Sequence, residues 1–189
     1  MNRVVLFLFL TFALLACKGD EKKAPSEPVV QVKAATTEPV DPVKAKMDEL
    51  KKMPVMDLDQ LRKMMPEALN GIKRSSFSMS SNLGHGEDKG DYEKNSKTYI
   101  RVALYDCSGP SGADIYHTSY LLKTKLNIEN EEGYTKTVNM NGKQAIESYE
   151  KPANAITLTY MHNDRVLVVL TGRNISVEDM KKAAADLGK

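Results

Sequence analysis

The run Val166-Leu167-Val168-Val169-Leu170 is apolar at every position. A strand with no polar alternation must be covered on both faces, so this segment demands a central place in a sheet with helices or a second sheet on either side. The chain around it supplies the rest of the sheet. Asn141-Gly142 separates the alternating segments 134–140 and 143–149, and Asn-Gly favours the left-handed backbone of a tight hairpin turn. Segments 155–161 and 165–172 flank a second turn at Asn163-Asp164. Ser176 followed by Asp179 opens a final helix over 177–187, with Gly188 as its C-terminal cap.

The preceding part reads as follows. Residues 43–53 form a short charged helix that stops before Pro54. Asp57, with Gln60 three residues on, caps a second helix carrying Leu58, Leu61, Met64 and Met65, which Pro66 ends. Residues 75–81 alternate Phe77 and Met79 with serines, a half-buried strand. Residues 82–97, with Gly84, Gly86, Gly90, Asp88, Asp91 and Asn95, read as a polar hairpin loop. Residues 98–107 form a strand, Ser108–Gly112 break it, and 113–125 form an amphipathic helix. Six strands in hairpin runs, interrupted by three to four helices, define an α+β domain over 45–189 with a largely antiparallel sheet.

The N-terminus has a different logic. One cation, Arg3, precedes the apolar run from Val4 to Ala16. Thirteen residues rise about 20 Å as a helix, short of the roughly 30 Å hydrocarbon core, which fits a secretory leader and not a span. The run ends in Leu14-Leu15-Ala16-Cys17. This resembles a lipobox, the processing site of bacterial lipoproteins. The resemblance implies a leader at 1–16, a diacylglycerol on the Cys17 thiol with a further acyl chain on its amine, and membrane anchoring through that lipid. Lys18 is unlike the Asp that retains such proteins at the inner membrane, which implies the outer membrane, on its periplasmic side or at the cell surface. Residues 17–44 then carry the lipid and a tether in which Pro25, Pro28, Pro39 and Pro42 forbid a continuous helix. About 26 residues reach about 30 Å as a coil and about 80 Å fully extended.

Lys plus Arg number 27 against 25 Asp plus Glu, a formal charge of +2. Such a balanced surface lacks the concentrated basic face that nucleic acid requires. The mature chain keeps one Phe, Phe77, beside eight Tyr, whose polar tips belong at the margin of a core.

Three chemistries have candidate residues in the chain. Cys107, at a strand end before Ser108-Gly109-Pro110-Ser111-Gly112, could be an activated thiol with His117 as its base. The run resembles a cysteine-phosphatase loop, but Ala113 stands where that loop needs Arg, and a small buried hydrophobe is the simpler role. His85, His117 and His162 are too far apart for a metal set, and no cofactor motif is present. Tyr116 and Tyr120 share a helix face, Tyr99 and Tyr105 a strand face, and the four could line a groove for a peptide, glycan or lipid. The layout resembles, in shape alone, the small α/β/α sandwich modules that include the PsbP-like group. The expectation is a non-catalytic envelope module that binds a protein partner or small apolar ligand, with an enzyme built on Cys107 as the alternative.

Overall fold

The computed structural model describes residues 41–81, 83–140 and 142–187. The leader, Cys17, most of the tether, Asn141 and the Gly188 cap lie outside these residues. Nine strands form one antiparallel sheet: β1 (Ala68–Leu69), β2 (Ile72–Ser80), β3 (Glu87–Asn95), β4 (Thr98–Asp106), β5 (Ile128–Asn130), β6 (Gly133–Met140), β7 (Lys143–Glu150), β8 (Ala155–Met161) and β9 (Val166–Arg173). Their spatial order is β1-β2-β3-β4-β9-β8-β7-β6-β5. Two meanders, β1–β4 and β5–β9, therefore meet where β9 pairs with β4 over eight residue pairs. The strand that carries the wholly apolar run Val166–Leu170 is the middle one.

The expected α+β class with an antiparallel sheet holds, but the sheet has nine strands and not about six. The main addition is β3, where the sequence reads as a polar loop. Its inward side is Asp88, Gly90 and Tyr92, all buried. An acid and a glycine at two of three inward positions erase the alternation that announces a strand. Gly90 gives Met65 room there, since a Cβ would stand 3.0 Å from Met65 Sδ and push that side chain aside. The other additions, β1 and β5, have two and three residues and carry too few positions for any pattern.

One face of the sheet carries the larger core. Ile100, Val102, Leu104, Ile156, Leu158, Val166, Val168 and Leu170 pack beneath α2 (Leu58–Arg62) and α4 (Val177–Asp186). Tyr phenols pin these covers to the sheet. Tyr92 Oη donates to Pro66 O at 2.6 Å and Tyr160 Oη to Ala184 O at 3.1 Å. Both rings are nearly fully buried, deeper than the core margin expected for Tyr. Helix α2 ends at Arg62, a turn before Pro66, and Asp57 caps it by accepting from Asp59 N. Ser176 Oγ likewise accepts from Asp179 N at the start of α4.

The other face is covered at one end only. Helices α1 (Pro42–Lys52) and α3 (Gly109–Ile115) lie there, with Leu50, Ala113 and Tyr120 over Cys107, Ile146 and Leu167. The helix expected over 113–125 begins earlier and changes pitch. Gly109, at φ +73°, turns the chain into the helix, Pro110 lies in its first turn, and Gly112 lies so close to Cys107 that a Cβ would meet its carbonyl carbon at 2.4 Å. The run of turn-formers is thus the first turn of a helix pressed onto the strand end. Residues Tyr116–Leu121 continue as a π-helix and Lys123–Lys125 as a 3-10 turn.

Candidate functional site

The covered end of the second face contains three of the four tyrosines considered above. Tyr105, Tyr116 and Tyr120 belong to one cluster with Cys107, and the Tyr116 and Tyr120 rings are 5.8 Å apart. Tyr120 Oη donates to Gln144 O at 2.9 Å, which fastens the crossing helix to β7. Tyr99 is at the opposite end of β4, six residues or about 20 Å from Tyr105. One groove lined by all four is therefore not assembled.

Cys107 is 0 % exposed, and burial pushes its thiol up to about 12. Its Sγ faces Tyr105 O at 3.9 Å, and no hydrogen bond joins it to His117 among the described residues. A nucleophilic cysteine needs the reverse, an accessible thiolate favoured by a nearby cation. Native protein at neutral pH is expected to resist alkylation at Cys107 and to react once unfolded. Cys107→Ser is expected to cost about 1 kcal/mol, read as a small fall in the denaturation midpoint. Rapid labelling of the folded protein would contradict this assignment.

The other half of the same face carries polar side chains in place of a helix. One cross-strand row runs from Asp91 through Arg101, Thr171, Thr157 and Ser148 to Thr135. Arg101 Nε donates to Asp91 Oδ1 at 2.6 Å, and Ser76 Oγ donates to Asp91 Oδ2 at 2.7 Å. The Thr135 and Ser148 hydroxyls are 2.9 Å apart, and those of Thr157 and Thr171 are 3.4 Å apart. The Arg101 guanidinium lies 5.3 Å from the Tyr99 ring centroid, and Arg173 stands across from Tyr99 on β9. The row ends at an open groove of 430 Å³ whose walls include Ile128, Thr135, Ser148 and Pro152. The result is a ridge of hydroxyls and guanidinium groups with one aromatic ring.

Of this surface the sequence singles out Tyr99, beside the row, and places Asp91 in a polar loop. The other members of the row are Ser, Thr and Arg at the outward positions of β4, β6, β7, β8 and β9. That pattern marks a wet face without saying what wets it.

Among the described residues no group of three or more His, Cys, Asp or Glu is placed to hold a metal ion. None of the described helices is long and apolar enough to cross a membrane. Comparison with protein-family models, curated proteins and solved structures returned no match.

Proposed function

We propose that the protein is a lipid-anchored envelope lipoprotein whose domain is a non-catalytic binding module. In this reading it engages a polar partner surface through the open half of its sheet. The observation that carries the reading is the asymmetry of coverage. Three elements, α1, α3 and the π-helix, cover one end of the second face, and the remainder offers Tyr99, Arg101, Thr157 and Thr171 to solvent. Arg101 and Tyr99 can meet carboxylate, phosphate or sugar faces, and the hydroxyl row both donates and accepts. Such a surface suits a glycan or a polar protein face better than a small apolar ligand.

The anchor rests on the leader and Leu14-Leu15-Ala16-Cys17, with two or more acyl chains giving stable attachment, most consistent with the outer membrane. Mass spectrometry of the mature N-terminus is expected to find acylated Cys17, and Cys17→Ala to leave the chain in the soluble fraction. For the binding face, a photo-reactive residue at 157 in the full chain, in intact cells, is expected to form an adduct that Arg101→Glu abolishes. Adducts from position 116 and none from 157 would defeat the assignment of the face.

A further inference from the structure

The two edges of the sheet are finished differently. At one, β5 carries Glu129 and is followed by Glu131 and Glu132, while Thr124 O accepts from Thr137 Oγ1 beside β6. Charge and a covering turn are the usual guards of an exposed edge. At the other, β1 pairs only with Ile72 and Lys73 of β2, and Arg74 N donates to Glu67 O. A bulge at Ser75 follows. Beyond it, among the described residues, no strand lies outside Ser76–Ser80, which contains no charge and no proline. Half the backbone groups of such a segment point outward and can accept a further strand.

We propose that this edge pairs antiparallel with the same edge of a second copy, around a two-fold axis at Ser78. The sequence Ser76-Phe77-Ser78-Met79-Ser80 has the same polarity in both directions, so it is complementary to itself in that register. Phe77 then stands opposite Met79 of the partner subunit, and Ser76 opposite Ser80 of the partner subunit. Phe77 and Met79 share the helix-covered side of the sheet, facing Gly90 and Asp88 on β3, and the serines share the other side. Apolar meets apolar and hydroxyl meets hydroxyl. Met79 is 39 % exposed, so the pairing covers apolar surface that one copy leaves in water. The nearest cations on the strand, Lys73 and Arg74, fall beyond the end of the paired segment, where β1 and Glu67 already cover the edge. The Arg62 and Arg74 guanidinium groups sit against the Phe77 ring at 5.6 and 4.8 Å.

In this register Ser78 faces its own copy, with Cα atoms about 4.5–5.5 Å apart, within the reach of a disulfide. The two Ser76 positions are separated by about 14 Å. The full chain with Ser78→Cys is expected to form a covalent dimer under mild oxidation, above the background set by the wild type. Ser76→Cys is expected to form none above that background. Ser78→Lys, which sets two ammonium groups face to face, is expected to weaken the dimer about tenfold in sedimentation while leaving the melting of the monomer unchanged. A chain that sediments as monomer at every concentration, with Ser78→Cys no faster than Ser76→Cys, overturns the proposal. So does a Ser78→Cys adduct formed only with a strand of a different protein.

Discussion

Arg165→Ala is expected to destabilise the protein by about 3–5 kcal/mol at neutral pH, the scale for removing one partner of a buried ion pair. Asp106 is 0 % exposed and receives Arg165 Nε at 3.1 Å and Nη2 at 3.0 Å. It also accepts from Met56 N at 2.6 Å and Ser108 Oγ at 2.8 Å, while Arg165 donates onward to Pro54 O at 2.8 Å. The pair thus fastens the segment between α1 and α2 to the ends of β4 and β9. Burial by itself would raise the Asp106 carboxyl, but the Arg165, Met56 and Ser108 donors outweigh it and hold it below the usual carboxylate range. A depressed folded-state value gives stability that is present above the unfolded carboxylate range and is lost as pH falls through the folded value. Urea titrations of wild type and Arg165→Ala from neutral to strongly acid pH should therefore converge on acidification. A difference that stays constant with pH would show that the guanidinium acts through packing alone.

Asp88→Asn is expected to act in the opposite sense and stabilise the protein at pH 7 by about 1–2 kcal/mol. Asp88 is also 0 % exposed, yet neither carboxylate oxygen has a hydrogen-bond partner among the described residues. Burial pushes it up to about 6 from 3.8, against a small opposing pull from Arg62. About two pH units correspond to a cost of about 3 kcal/mol for the ionised form, and the neutral amide relieves most of it while keeping some desolvation cost of its own. Because the folded value is raised, the penalty is present above pH 6 and disappears as pH falls from about 6 toward 3.8. The advantage of Asp88→Asn should vanish across that window. An Asp88→Asn protein less stable than wild type at pH 7 would mean that the carboxylate has a stabilising partner.

Asp106 and Asp88 also mark the limits of what could be read in advance. Strands bounded by strong turns or built of alternating apolar residues were legible, and the 155–161 strand matches to the residue. Ser176 and Asp57 announced their helices because side-chain capping is a local matter. β3 was hidden, since its inward positions are filled according to neighbours on α2 and in the turn after it, Met65 and Pro66, that sequence order does not reveal. The ion pair of Asp106 and Arg165 spans 59 residues, so nothing local foretold it. Of the candidate site, the tyrosines were visible as residues, but their division between a covered and an open end depends on where α1 and α3 come to rest.

The meeting of the two meanders at β4 and β9 has a kinetic consequence. Every other ladder joins strands consecutive in the chain, whereas Tyr99 and Arg173 pair across 74 residues (173 − 99). Hairpins close quickly because their loops are short, and the entropy of closing a long loop falls on this single ladder. The meanders can therefore assemble separately and zip together last, which makes that seam the slow step on the way in. It is also where the apolar run Val166–Leu170 is exposed in the meantime. Pulse-labelled amides should accordingly gain protection in β6, β7 and β8 before β4, and simultaneous protection throughout would show that the two halves never exist apart.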